Sequence, residues 1–162
     1  MRKQIIIDSA KCTGCGSCEL VCSVNKSRQF DPSLSRIKIW REMSMGVYIP
    51  MLCQQCERPP CATACLMNVI SKHPATGLTI RDADNCIGCR ACQVACPFEA
   101  CTYDHRFEVV VNCDHCGGSP ECVKICPTGA LQYTTLKEVQ DQSRSVEAAR
   151  RASLLAGEGS QS

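Results

Sequence analysis

The sequence predicts an α+β fold in which short strands and short helices are arranged around cysteines, ending in one longer helix. Three observations predict it. Cysteine supplies 17 of the 162 residues, whereas aromatics make up 4% with Trp40 the single tryptophan, so little bulk is left for a large apolar core. Sixteen of the cysteines fall into four regularly spaced groups. Only brief runs of strand character separate those groups. A content of 44% hydrophobic and 21% charged residues marks a globular chain, and its length fits one domain or a pair of small lobes.

Along the chain, Gln4–Ile7 reads as a first strand. The first group, Cys12-x2-Cys15-x2-Cys18-x3-Cys22, follows, with a short helix expected from near Cys18. Arg36-Ile37-Lys38-Ile39-Trp40 alternates like a strand, and Val47-Tyr48-Ile49 can pair with it. The second group is Cys53-x2-Cys56-x4-Cys61-x3-Cys65, with a helix from near Cys61. Val69–Ser71 and Leu78–Ile80 read as strands joined by the turn Pro74-Ala75-Thr76-Gly77. The third group, Cys86-x2-Cys89-x2-Cys92-x3-Cys96, is followed by Pro97, and Glu108–Val111 is the next strand. The fourth, Cys113-x2-Cys116-x5-Cys122-x3-Cys126, is followed by Pro127 and a strand at Ala130–Tyr133. Helices from near Cys92 and Cys122 complete the set, each short helix carrying the fourth cysteine of its group. Thr135-Leu136-Lys137-Glu138 is a capping box with Thr135 as N-cap. A helix over 135–156, supported by a Glu147–Arg151 pair, is predicted to stop at Gly157, leaving 157–162 as a disordered tail.

Three chemistries use cysteine at this density. A disulfide framework suits small secreted domains, but the count is odd and Met1-Arg2-Lys3-Gln4-Ile5-Ile6-Ile7-Asp8 holds no signal-peptide core. Zinc uses Cys-x2-Cys pairs set apart by longer loops and has no need of a run of three. Iron–sulfur ligation fits best, because the third group with Pro97 matches the bacterial ferredoxin run C-x2-C-x2-C-x3-C-P residue for residue. Three thiolates two residues apart can wrap one cubane [4Fe–4S] cluster. The fourth, further along on a starting helix, points away toward another cluster. Gly14, Gly16 and Gly88 suit turns with positive φ that bring backbone N–H groups to the sulfides, or are ordinary turn glycines. Pro97 and Pro127 fix the chain direction after the fourth thiolate, while Ser23 and Leu66 stand in that place in the first two groups.

Groups one and three share 2-2-3 spacing, and groups two and four have 2-4-3 and 2-5-3, an A-B-A′-B′ duplication. Cys12 and Cys86 are offset by 74 residues but Cys53 and Cys113 by 60, so the first half carries an insertion that holds the Arg36–Trp40 and Val47–Ile49 strands. Metal–thiolate bonds would substitute for the apolar core that the composition does not provide.

The order of the groups, with Asn85-Cys86-Ile87-Gly88-Cys89-Arg90-Ala91-Cys92 and Cys126-Pro127-Thr128-Gly129-Ala130-Leu131, resembles the four-cluster iron–sulfur subunits of molybdenum and tungsten oxidoreductases. Those of the dimethyl sulfoxide reductase and formate dehydrogenase families are examples, and the likeness covers about residues 3 to 134. The Phe30–Ile37 segment is more similar to the small polyferredoxin subunits of cytoplasmic, anaerobic enzymes. Among these are benzoyl-coenzyme A reductases, carbon monoxide dehydrogenase partners and tungsten aldehyde oxidoreductases, the last being favoured. The resemblance implies two nested bacterial-ferredoxin-like lobes, one from about 1–50 plus 97–134 and the other from about 51–96. It also implies the ligand sets. Cys12, Cys15 and Cys18 join Cys126; Cys113, Cys116 and Cys122 join Cys22. Cys53, Cys56 and Cys61 join Cys96; Cys86, Cys89 and Cys92 join Cys65.

Four such clusters, each about −2 with its thiolates, would take the formal net charge from +2 to roughly −6, so the apo charge says nothing about an anionic partner. No basic stripe with interleaved aromatics suggests nucleic acid, and no apolar run is long enough to span a membrane. No nucleophile–base pair, Walker loop or dinucleotide fingerprint appears, so no catalytic residues are assigned. Cys101 is expected to be a buried small hydrophobe rather than a redox thiol. His115, between Cys113 and Cys116, is expected to make a hydrogen bond or lie at the surface, and His73 and His105 are isolated. The apolar stripe Leu136, Val139, Val146, Ala149 and Leu154 is thin; it belongs to a solvated tail helix or to a docking arm. The resemblance implies a cytoplasmic electron-transfer subunit. Its partners would be a large tungsten or molybdenum catalytic subunit, with a flavin- or NAD-linked subunit and further copies of the chain as additional candidates. A free-standing polyferredoxin, or a zinc-bearing or cluster-sensing module, are the alternatives.

Overall fold

The computed structural model describes residues 3–157; of the expected disordered tail, Gly157 ends the last helix and 158–162 lie outside the described residues. The strands are β1 Lys3–Ile7, β2 Ile37–Glu42, β3 Val47–Leu52, β4 Ile70–Lys72, β5 Thr79–Arg81, β6 Cys101–Asp104, β7 Val109–Asn112 and β8 Leu131–Thr135. The helices are α1 Ser17–Ser27, α2 Pro60–Thr63, α3 Ala91–Val94, α4 Glu121–Lys124 and α5 Leu136–Gly157. The fold is thus α+β. Its strands form four separate two-stranded antiparallel sheets, β1–β8, β2–β3, β4–β5 and β6–β7.

The first sheet ties the two ends of the described chain together, with Lys3 opposite Thr135 and Ile7 opposite Leu131. In β2–β3 the expected pair forms, with Trp40 opposite Ile49. Strand β6 was not expected; it pairs with β7 so that Cys101 faces Asn112. Helix α1 packs against α4, and α2 against α3.

Two cores result, and cysteine is a major part of both. The first joins Ile5, Ile37, Ile39, Leu52 and Leu131 to Cys18, Cys22, Cys113 and Cys122. The second joins Ile70 and Val110 to Cys61, Cys92 and Cys101. The β6–β7 hairpin therefore packs into the second core, with the middle of the chain, although it lies beyond the expected division at residue 97.

The short helices differ from expectation at their ends. Only α1 carries its fourth cysteine, Cys22; Cys65, Cys96 and Cys126 lie one residue beyond the last helical cap. Pro97 and Pro127 disfavour the helical conformation in the residue before them, which ends α3 and α4 short of their fourth cysteines. Helix α1, with Ser23 in the corresponding place, continues; Ser23 is buried and its hydroxyl donates to the Leu20 carbonyl at 2.9 Å, whereas α2 ends before Cys65 although Leu66 holds that place. At the chain's end the capping box forms as predicted. The Thr135 N–H donates to Glu138 Oε2 at 2.8 Å, and the Glu138 N–H donates to Thr135 Oγ1 at 3.3 Å. Arg151 donates to Glu147 at 2.8 Å. Val139 is half-buried beside the β1–β8 sheet, whereas Val146 is exposed. No helix among the described residues is long and apolar enough to cross a membrane.

Candidate metal centres

Each cysteine group must reverse the backbone sharply enough for thiols two residues apart to face one point. The residue before the second cysteine makes that turn in all four groups. Gly14, Gln55, Gly88 and His115 have φ of 70°, 53°, 66° and 53°. At Gly14 and Gly88 the requirement is doubled by close approach. A Cβ would lie 2.5 Å from the Tyr48 ring at Gly14, and 2.2 Å from the Glu108 carbonyl oxygen at Gly88. Gln55 and His115 hold the same conformation despite a Cβ, at a cost on the order of 1–3 kcal/mol each. Buried contacts offset it. Gln55 donates to the Cys113 carbonyl at 2.5 Å and accepts from the Thr79 N–H at 2.6 Å, while the His115 ring packs edge-on against Tyr133 at 5.6 Å. His115 is thus fully buried, not at the surface.

The groups meet across the sequence. Cys12, Cys15, Cys18 and Cys126 line one cavity of about 310 Å³ of empty space, its mouth included. Cys65, Cys86, Cys89 and Cys92 line a second of the same size, with Arg81 in its wall. Cys22 is near enough to Cys113 and Cys122 to oppose their ionisation, and Cys122 also feels Cys116. Cys53 stands in the same relation to Cys61, Cys56 and Cys96. All 17 cysteines are free thiols. No three His, Cys, Asp or Glu among the described residues gather closely enough to hold a single ion. A soft, all-thiol donor set spread around a cavity fits an iron–sulfur cluster.

Backbone and side-chain donors reach the sulfurs. The Arg36 N–H donates to Cys22 Sγ at 3.3 Å and the Ala100 N–H to Cys96 Sγ at 3.5 Å; the Asn112 amide lies 3.9 Å from Cys53 Sγ. Burial pushes the thiols of Cys18 and Cys122 up to about 12 and raises that of Cys113 as well. In the second core the sign reverses. A hydrogen bond from the Cys101 thiol, followed by the Arg81 charge, holds Cys61 and Cys92 below the ordinary thiol range, and Cys101 is raised by keeping its proton between them.

Cys101 is buried, as expected, but it is not a mere filler, because it touches two of the candidate ligands. Four polar side chains were not singled out in the sequence. Arg81 donates to Cys92 Sγ at 3.2 Å, to Cys101 Sγ at 3.0 Å and to Asn112 Oδ1 at 2.5 Å. Gln55 and Asn112 both donate to the Cys113 carbonyl, which links the two cores. Glu19, buried beside Cys18, accepts from the Ile39 N–H at 3.0 Å and pairs with Arg41 at 2.5 Å. The only advance sign of Arg81 was period-two alternation, which puts it on the face of Thr79. His73 accepts from the Thr76 N–H, and His105 packs edge-on against Tyr103 at 4.8 Å; neither joins a centre.

Residues 44–136, more than half the chain, match the family described as the 4Fe-4S dicluster domain, and residues 5–25 match the 4Fe-4S binding domain. The chain is 39% identical over 122 residues to the aliphatic sulfonate oxidoreductase polyferredoxin-like subunit of Pyrococcus furiosus, covering 75% of this chain and 70% of that one. It is 33% identical over 152 residues to the B subunit of the anaerobic dimethyl sulfoxide reductase of Escherichia coli K12, covering 83% and 74%. It is 36% identical over 140 residues to the NADH-dependent phenylglyoxylate dehydrogenase subunit beta of Aromatoleum evansii. That match covers 85% of this sequence and only 31% of the relative, so the chain spans about a third of that protein's length.

Proposed function

The protein belongs to the 4Fe-4S dicluster domain family, and from that premise we propose that it is the electron-transfer subunit of an oxidoreductase complex, holding four [4Fe–4S] clusters. The observation that carries the reading is that cysteines remote in sequence line common cavities: Cys126 with Cys12, Cys15 and Cys18, and Cys65 with Cys86, Cys89 and Cys92. On this reading each of four sets takes three thiols from one group and the fourth from another. Bound clusters supply reversible one-electron reduction. The protein's part is to hold them, shield them from water and set their potentials through sulfur hydrogen bonds, burial and charge.

The ligand sets follow the meetings described above. Cys12, Cys15 and Cys18 act with Cys126, and Cys113, Cys116 and Cys122 with Cys22, at the centre built from both chain ends. Cys53, Cys56 and Cys61 act with Cys96, and Cys86, Cys89 and Cys92 with Cys65, in the middle. Pairing of β1 with β8, of α1 with α4 and of α2 with α3 supports this nesting, and the packing of β6–β7 extends the middle lobe to about residue 112. A large tungsten or molybdenum catalytic subunit is the proposed partner, by analogy with oxidoreductase subunits among the relatives. Seventeen free thiols suit a reducing compartment, the cytoplasm.

Anaerobic purification tests the reading. The expected product is brown, carries about sixteen irons per chain and is reversibly reduced. A colourless zinc protein would sink it. Native mass spectrometry of the complex from the source cells should show the protein bound to a larger molybdenum- or tungsten-containing subunit. Recovery of the protein alone, iron-replete, would favour a free polyferredoxin instead.

A further inference from the structure

Arg81 ends β5 on the face of the buried Thr79, so its side chain turns inward while Ile80 is exposed. Its Nη1 and Nη2 donate to Cys92 Sγ and Cys101 Sγ, and its Nε donates to Asn112 Oδ1. Asn112 is itself fixed, donating to the carbonyls of Thr79 at 3.1 Å and Cys113 at 3.0 Å. The guanidinium also lines the cavity surrounded by Cys65, Cys86, Cys89 and Cys92. Cys61, of the other middle set, lies within hydrogen-bonding reach of Cys101 and within the field of Arg81. Among the described residues no carboxylate forms an ion pair with Arg81.

The cations near the chain-end centres are placed differently. Arg41 pairs with Glu19, Lys26 and Arg36 share Asp114 at 2.8 and 3.5 Å, and Lys38, within the field of Cys22, donates to the Pro32 and Ser33 carbonyls. Among these cations of the described residues, Arg81 is the one whose charged group donates to cysteine sulfur.

We propose that Arg81 is a positioning residue that raises the reduction potentials of the two middle centres. The proposal rests on the four-centre reading given above. One added electron takes a cluster with its four thiolates from about −2 to about −3, so a fixed and unneutralised cation favours the reduced form. Hydrogen bonds donated to ligand sulfur act in the same direction. Arg81 supplies one to Cys92 directly.

The test compares the full chain, purified anaerobically, with Arg81→Gln and Arg81→Lys, by EPR-monitored redox titration with iron and sulfide measured on each. Arg81→Gln is expected to keep its iron and to lower the midpoints of at most two centres. The expected shift is about tenfold in each reduction equilibrium, or about 59 mV for a one-electron couple. Arg81→Lys keeps the charge but loses the planar fork, so it should lower the same midpoints by less. Unmoved midpoints in Arg81→Gln, or a shift shared equally by all centres, overturn the proposal. If Arg81→Gln loses iron, Arg81→Lys decides. A lowering confined to at most two centres supports the proposal; unmoved midpoints or loss of iron there overturn it. A wild-type chain without reducible clusters would instead sink the four-centre reading, a result distinct from iron-replete protein whose midpoints stay put.

Discussion

Cys18, Cys61, Cys92 and Cys122 are the third cysteines of the four groups and are equally hidden, at 6–7% exposure. Yet Cys18 and Cys122, in the core built from the chain ends, are pushed up by burial, while Cys61 and Cys92, in the middle core, are held down. Equal exclusion of water does not make equal sites. Burial alone penalises a thiolate, and what reverses the penalty in the middle is a set of donors, the Cys101 thiol and the Arg81 guanidinium. The duplicated sequence thus gives two cores of similar cysteine pattern and different electrostatics. In an electron-transfer chain that difference becomes a difference of potential.

The largest expected effect tests whether the two regions are nested at all. Cys126→Ala should remove about one cluster's worth of iron and abolish the signal of the centre held by Cys12, Cys15 and Cys18, although Cys126 is remote from them in sequence. Damage confined to the centre of Cys113, Cys116 and Cys122 would show that ligation is local. Cys101→Ser, by contrast, should leave the iron count unchanged.

Next in size is a contrast between two turn glycines. Gly88→Ala puts a Cβ 2.2 Å from the Glu108 carbonyl oxygen, a backbone atom that moves only if the β6–β7 hairpin shifts. Gly14→Ala meets the ring of Tyr48, a side chain that can swing away. Both also place a Cβ at positive φ, which costs on the order of 1–3 kcal/mol. Gly88→Ala should therefore be the more damaging, with a clearly lower denaturation midpoint and loss of iron from the middle lobe first. Equal loss at the two sites would mean that hairpin and ring yield alike.

Much of this was legible in the sequence, and the exceptions have physical causes. Thiol spacing singled out the candidate ligands because it reports local geometry that few other chemistries share. Seven of the eight strands, the capping box and the Glu147–Arg151 pair were visible for the same reason. Strand β6 was hidden because it is short, follows a proline segment and ends in Asp104. That residue reads as a turn former yet is buried, bonded to Arg106 at 2.6 Å. Gln55 and His115 escaped as turn residues because neither is glycine, and only their long-range contacts maintain the positive φ. Arg81 escaped because its alternation with Ile80 is inverted, the charged residue inward and the apolar one outward. Such an inversion makes sense only once the thiols of residues 92 and 101 are known to lie opposite.

A smaller effect converts one region toward the other. Glu19→Gln keeps a side-chain carbonyl for the Ile39 N–H but leaves Arg41 unneutralised within the field of Cys18 and Cys12. The midpoint of the nearest chain-end centre should rise. Because Arg41 is 40% exposed, solvent screens it, and the rise should be smaller than the fall in Arg81→Gln. A fall, or a larger rise than the Arg81 effect, would contradict the view that an unneutralised cation near the sulfurs raises a centre's potential, and does so more the better it is buried.

The smallest expected effect concerns an element that only the chain-end region possesses, the helix α5 that continues β8. The Thr134 hydroxyl, with the N–H and hydroxyl of Thr135, holds the Glu138 carboxyl down to about 2 from its ordinary 4.5. A carboxylate with a depressed folded value stabilises the folded end above its ordinary value, and the contribution fades as pH falls from about 4.5 toward 2. Metal–thiolate bonds also weaken in acid, so an acid titration would confound helix fraying with loss of the centres. The cap is better read at neutral pH by hydrogen exchange. Glu138→Gln keeps an acceptor but loses the charge, and should speed exchange in the first turn of α5 modestly; Glu138→Ala should speed it further. Neither should change iron content or any midpoint, since Glu138 is exposed and touches no cysteine. A shifted midpoint would show that the helix start communicates with the β1–β8 sheet and the centre beneath it.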